Sequence, residues 1–258
     1  MDLKELPARS FKRHPWEMVR ADFFARLLRE NLRGHALAAL DLGAGDGYFA
    51  ECLVESLPTV ARVTCFDTGY QAAWLEANKT RHPSLSFTAQ KPDGVHDLLV
   101  LLDVLEHVPV EDSRAILGKA VQTSLKPGGL ALISVPAWQA LFSSHDTLLG
   151  HKRRFAPAEL RDLAREAGLV VVEHGQLFSS LLAPRAMMKA RESLEKKPSS
   201  HVPAAATIET SLGSWHHGRV VTTLVTRALA LDAAGGRLAA RLGLPIAGLS
   251  TWVLARRP

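Results

Sequence analysis

Residues 41–47 read DLGAGDG, with Gly43, Gly45 and Gly47 at alternate positions between an apolar run and an amphipathic one. Ahead of them, ALAALDL (36–42) reads as a short buried strand. Behind them, YFAECLVESL (48–57) reads as a helix that stops near Pro58. Glycines at such a junction permit positive φ and remove the Cβ atoms that would keep a ligand off the backbone. The helix start then offers free N–H groups to a polar partner. A dinucleotide fingerprint needs its third glycine at position 48, where this chain has Tyr48, so the spacing is GxGxG. A tight turn without a ligand is the plainer reading of the string by itself.

The flanking sequence sharpens it. VARVTCFD (60–67) is a second strand, QAAWLEANKT (71–80) a helix, SLSFTA (84–89) a weak strand and HDLLVLLDV (96–104) a strong apolar one. EDSRAILGKAVQTSL (111–125) is a helix with acids in its first turn, where the helix dipole favours them. LKPGG (125–129) makes a turn into GLALISVP, PAELRDLAREAGL (157–169) is a helix led by Pro157, and LVVVEHG (169–175) is a sixth strand. The strands are continuous apolar runs alternating with helices, the pattern of a doubly wound α/β sheet covered on both faces. Asp41 and Asp67 then stand at the carboxyl ends of two strands, the edge at which such sheets bind ligands, and Asp67 is set to accept the two hydroxyls of a ribose.

Around this core, residues 16–33 form an amphipathic helix ending at Gly34, so 1–35 reads as an N-terminal helical cap. Residues 36–177 form the core, 178–247 a helical insertion or lid, and 248–258 a last strand returning to the sheet edge. A linker or disordered stretch is expected within 193–212, where proline and serine concentrate.

DLGAGDG, Asp67, LLDVLEHV (101–108) and LKPGG together resemble the class I S-adenosylmethionine-dependent methyltransferases, over about residues 37–175 and the last strand. The resemblance implies a Rossmann-like seven-stranded sheet with a reversed final hairpin, and S-adenosyl-L-methionine as cofactor with S-adenosylhomocysteine as product. It implies that Asp41, Gly43, Ala44 and Gly45 hold the methionine part, that Asp67 and Thr68 face the ribose, and that Leu102, Asp103 and Val104 lie beside the sulfonium. The family often carries an acid near the adenine. Here the segment reads FTAQKP, which leaves Ala89 or Gln90 to make that contact through backbone or amide. RHPWEMVR (13–20) and GHKRRF (150–155) also resemble a narrower bacterial subgroup of small-molecule and envelope-associated members.

Two stretches remain open at this level. Asp103, Glu106 and His107 form DxxEH, whose spacing puts them on one side of a turn. Some O-methyltransferases of the class carry ExxEH there and bind magnesium or zinc. In other members the acid caps a turn and the histidine packs beneath the cofactor, and no metal is assigned on the spacing. SSHDTLLGHKRRF (143–155) leaves the fifth strand on the cofactor edge. The family resemblance makes His145 and His151 the candidate general bases, Asp146 the residue that orients one of them, and Arg153 and Arg154 a grip for an anionic group. The competing readings are a solvated KRR face with structural histidines, and an Arg154–Asp146 pair that only shapes the loop.

Function classes narrow accordingly. A net charge of +5 is modest for 258 residues, and KRR (152–154) is too short a basic patch for nucleic acid, which also lacks stacking aromatics and an NPPY-type tetrad here. A small-molecule acceptor, or a glycan- or lipid-linked one, is expected, methylated at oxygen. Leu177, Phe178, Leu181 and Leu182 with Arg185, Lys189 and Arg191 would suit peripheral membrane contact or packing on the sheet. No signal-like segment opens the chain, and its two cysteines, Cys52 and Cys65, read as packed thiols, so a cytoplasmic setting is expected. The rivals are a nicotinamide-dependent oxidoreductase, disfavoured by Tyr48, and a non-catalytic cofactor-binding regulator, which would have no need of Asp41 and Asp67.

Overall fold

Continuous apolar runs become strands here because helices cover both faces of one sheet. A computed structural model describes residues 12–194, 215 and 217–258. In chain order its elements begin α1 (Pro15–Asn31), β1 (Leu37–Leu42), α2 (Tyr48–Ser56), β2 (Val60–Phe66), α3 (Ala72–Asn78), β3 (Leu85–Thr88) and β4 (His96–Leu102). They continue α4 (Val110–Ser124), β5 (Leu125–Pro136), α5 (Ser144–Leu149), α6 (Pro157–Glu166) and β6 (Val170–Leu177). The last three are α7 (Leu182–Leu194), α8 (Arg219–Arg241) and β7 (Ser250–Arg256). The seven strands lie in the order β3-β2-β1-β4-β5-β7-β6, with β7 antiparallel between β5 and β6. This is the doubly wound sheet with a reversed last hairpin that the sequence predicts.

The middle of β4 shows why its apolar run is uninterrupted. Leu98 and Val100 enter a core shared with Phe24, Leu27, Leu53 and Trp252, on the side of α1 and α2. Leu99 and Leu101 enter the opposite core with Leu117, Val121, Leu160 and Val253, on the side of α4 and α6. All four β4 side chains are wholly buried, and each such burial is worth about 1.5–3 kcal/mol.

Two boundaries differ from the sequence reading. α1 stops at Asn31 rather than running to Arg33, because Leu32 turns extended while its N–H still bonds the Leu28 carbonyl. At its start Glu17 accepts the His14 N–H at 3.2 Å, closing a capping box. LKPGG is not a turn ahead of β5 but an excursion inside it. Leu125 already pairs with His96, and the ladder resumes at Leu130 opposite Leu98. Gly129 is required there, since a Cβ would lie 2.9 Å from the Lys126 carbonyl oxygen and 3.0 Å from that of Asp97.

The described part of the segment after β6 holds two helices, α7 and α8, and runs irregularly from 242 to β7. Within 193–212, the stretch read as a linker, residues from 195 onward lie outside the described residues. α8 packs on α1 and β6. Arg237 fastens it there through Glu173 at 2.7 Å and Glu30 at 2.8 Å, and Asp232 accepts the backbone N–H groups of Ser179 and Ser180. Cys65 is buried, Cys52 is half-buried, and both are free thiols. Among the described residues, no helix is long and apolar enough to cross a membrane.

Candidate active site

The carboxyl ends of β1, β2, β4 and β5 open into one cavity of about 1180 Å³. That volume lies just above the range of about 300–1,000 Å³ usual for small-molecule pockets.

The first wall is the turn from β1 to α2. Gly43 has φ +76°, and a Cβ there would sit 2.6 Å from Val104 Cγ2, so only glycine lets the turn lie against the end of β4. Gly47 has φ +74°, with Phe87 at 2.6 Å from a would-be Cβ. Asp67, directly after β2, organises the turn: its Oδ2 accepts the Gly45 N–H at 3.0 Å and its Oδ1 the Gly69 N–H at 2.8 Å. An ionised carboxylate has about four lone-pair sites, so acceptor capacity remains for a ligand. Asp41, Gly43, Ala44, Gly45, Asp67 and Thr68 all line the cavity. Burial, reinforced by the Asp67 and Asp46 carboxylates, pushes the Asp41 carboxyl up to about 7.

The N-terminal segment reaches across this wall. Arg13 donates to Asp46 at 2.5 Å and lies 3.7 Å over the Tyr48 ring. Arg20, from α1, pairs with Asp103. Burial alone would lower the Arg20 pKa, but the Asp103 carboxylate beside it raises it above the usual arginine value. Asp103 itself stands at φ +56°, a left-handed position for a residue with a side chain, which turns the chain sharply after β4.

A single 3-10 turn, Leu105–His107, follows. It buries Glu106 completely, and among the described residues no hydrogen-bond donor reaches either of its carboxylate oxygens. Burial, with Asp103 adding to it, raises the Glu106 pKa well above the usual carboxylate range. His107 lines the cavity and lies edge-on to His151, ring centres 4.8 Å apart.

The far wall is the loop after β5. Ser143 and Asp146 cap α5 reciprocally, Asp146 Oδ2 accepting the Ser143 N–H at 2.9 Å. Asp146 is wholly buried and is the hub of the loop. Its Oδ1 faces His151 Nδ1 at 3.1 Å and accepts Arg154 Nε at 2.9 Å, while Oδ2 accepts Arg185 Nη2, from α7, at 2.6 Å. Burial would raise its pKa, but the hydrogen bonds from His151, Arg154 and Ser143 outweigh it and hold the carboxyl well below its ordinary range. Arg154 also donates to the Ala137 carbonyl. Arg153 turns away, pairing with Glu159 and stacking 4.1 Å over Phe155. His145 lines the cavity on α5, and burial, with Arg185 nearby, lowers its pKa, so the neutral imidazole is favoured.

The structure thus brings Asp41, Asp67, Asp103, Val104, His145, Asp146, His151 and Arg154 to one cavity. Asp146 orients His151, and the Arg154–Asp146 pair considered as a competing reading is present. Three contributions were not readable from the sequence: Arg20 on Asp103, Arg185 on Asp146 and the isolation of Glu106. RHPWEMVR stands out as a string, yet nothing in it reveals a partner 83 residues away.

Comparison with known proteins places this geometry. Residues 11–174 match the family described as a methyltransferase domain. A ubiquinone biosynthesis O-methyltransferase of Acinetobacter baylyi is 29% identical over 102 residues, 37% of this chain and 42% of that protein, so the matched stretch spans less than half of the relative's length. The N-methyltransferase NodS from Bradyrhizobium japonicum WM9, in complex with S-adenosylhomocysteine, superposes with a TM-score of 0.55 at 16% identity, covering 99% of this chain and 96% of NodS. The [4+2]-cyclase SpnF gives 0.53 at 15% identity, covering 97% and 85%. At these identities the two likenesses are ones of fold.

Proposed function

This chain belongs to the methyltransferase-domain family, and from that premise we propose that it moves a methyl group from S-adenosyl-L-methionine to an oxygen of a small-molecule, glycan- or lipid-linked acceptor. One observation carries the reading: a single cavity has the glycine turn with Asp41 and Asp67 on one wall and the His145 imidazole on the other.

The first wall fits the cofactor by its donor set. Asp67 suits the vicinal hydroxyls of a ribose, the Cβ-free turn at Gly43 lets the ligand approach backbone, and Asp41 suits an ammonium group. Leu102, Asp103 and Val104 also line the cavity and would lie beside the sulfonium. Bound there, the cofactor supplies an already activated methyl carbon. What remains for the protein is to align the acceptor, exclude water and remove a proton. His145 would take the proton from the acceptor hydroxyl whose oxygen receives the methyl group. Asp146, Arg154 and Arg185 hold the loop that carries this base. The O-methyltransferase relative supports oxygen as the acceptor atom.

Calorimetry tests the cofactor assignment. S-adenosylhomocysteine binds and NAD does not, and tight binding of NAD alone would refute the reading. The pH dependence is specific: Asp41 must be ionised to meet an ammonium, and its carboxyl titrates at about 7. Affinity therefore rises about tenfold from pH 6 to pH 8 and flattens above that; a flat profile would remove Asp41 from this role. For the base, His145→Ala lowers kcat by about 10²–10⁴-fold, the usual worth of general base catalysis. The readout is S-adenosylhomocysteine release with a panel of phenolic acceptors. Its S-adenosylhomocysteine affinity stays within about twofold of the parent, and affinity falling in step with turnover would make the histidine structural.

A further inference from the structure

One cluster on the cavity wall has no part in the proton transfer just described. Glu106 and His107 sit on the turn after β4, and His151 arrives from the loop after α5; one ligand-type atom from each lies within 4.8 Å of the others. The two segments are tied together, since the Lys152 N–H donates to the Glu106 carbonyl at 2.6 Å.

Two members, Glu106 and His151, are prepared for something positively charged. The Glu106 carboxylate is wholly buried with both oxygens unpartnered among the described residues, and a buried polar group in that state costs about 1–3 kcal/mol or more. The His151 Nδ1 is engaged by Asp146 Oδ1 at 3.1 Å, which leaves Nε2 directed at Glu106 Oε1, 4.0 Å away. A carboxylate on one ring nitrogen with the other nitrogen free is the usual arrangement behind a metal-binding imidazole. Asp146 is itself fixed by Arg154 and Arg185, so the imidazole cannot swing away. Asp103, which the DxxEH spacing groups with Glu106 and His107, is turned onto Arg20 and stands outside the cluster.

We propose that Glu106, His107 and His151 form a three-ligand site for a divalent transition metal of the zinc, manganese or iron class. Two imidazoles and one carboxylate suit these ions better than magnesium or calcium, which prefer oxygen sets. Ligand atoms around a tetrahedral zinc are about 3.3 Å apart, so side-chain rotations of about an ångström close the present cluster. Three protein ligands leave a position open, and all three residues line the cavity. That position receives the acceptor oxygen, whose hydroxyl becomes more acidic on coordination and gives its proton to His145. This role rests on the methyl-transfer reading of the cavity.

The test is metal titration of the full chain after chelator treatment. Calorimetry with Zn²⁺, Mn²⁺ and Mg²⁺ and the visible spectrum of the Co²⁺ form are recorded for the parent, Glu106→Gln, His107→Ala and His151→Ala. One Zn²⁺ binds per parent chain, at least about 100-fold more tightly than Mg²⁺, with weakening of about 10–100-fold or more in each variant. Asp103→Asn keeps parental Zn²⁺ affinity. No stoichiometric binding by the parent, or unchanged Zn²⁺ affinity and Co²⁺ spectrum in His151→Ala or Glu106→Gln, would overturn the site. S-adenosylhomocysteine binding is measured on the same samples: its presence without metal binding defeats this inference alone, and its absence from the parent defeats the methyl-transfer reading.

Discussion

Asp67→Ala raises the dissociation constant for S-adenosylhomocysteine by about 10²–10⁴-fold. In the proposed role two ribose hydroxyls donate to the Asp67 carboxylate at about 1.5–3 kcal/mol each, and the variant would lose both bonds together. The substitution also strips the Gly45 and Gly69 N–H groups of their acceptor, so the turn that should receive the methionine part loses its anchor. Asp67→Asn keeps one acceptor oxygen without the charge and falls between parent and alanine variant. Calorimetry reads both affinities, and far-UV circular dichroism verifies the fold, because Asp67 lies at the rim of the sheet rather than in either core. A change of less than about tenfold, or 1.4 kcal/mol, in Asp67→Ala would show that the ribose lies elsewhere.

Asp146→Ala has the second large effect, and it falls on stability. Removing one partner of a buried ion pair costs about 3–5 kcal/mol because the other charge stays behind unpaired; here two buried guanidinium groups, Arg154 and Arg185, lose it at once. For a chain of this size that lowers Tm by roughly 6–20 °C. The pH dependence has a definite sign. Asp146 has a depressed pKa in the folded state, so its contribution is fully present above the unfolded value of about 3.9 and disappears as pH falls through the folded one. The gap between parent and variant is therefore constant at neutral pH and narrows below about pH 4. A variant within about 1 kcal/mol of the parent at pH 7 would mean that the loop holds its shape without the carboxylate.

The fold was legible because its signals are local. Three glycines between a strand and a helix, a β4 apolar on both faces, and Asp41 and Asp67 at strand ends each act within a few residues of themselves. The first wall of the cavity inherits that legibility. The second wall does not, since its residues take their roles from partners far along the chain. His145 and His151 look equivalent in SSHDTLLGHKRRF, yet only His151 is bound by Asp146. Arg153 and Arg154 are adjacent cations, but one faces Glu159 on the surface and the other lies buried on Asp146. DxxEH suggests three side chains on one face, whereas the left-handed backbone at Asp103 and the pull of Arg20 separate the first from the other two. Spacing along a chain does not register such tertiary choices.

The position of β7 sets the order in which this protein can be built during translation. Among the described residues β6 pairs with the sheet only through β7, which is inserted between β5 and β6. When residues 170–177 leave the ribosome they have no strand to join. Synthesis of residues 178–256 takes on the order of 4–16 s at ordinary elongation rates. Throughout that interval β5 and β6 both present unpaired backbone edges, and Val170 and Val172 remain exposed even in the finished fold. Nascent chains in that window are open to strand pairing with one another, so the yield of native protein should respond to translation speed and chaperone supply more than its finished stability would suggest.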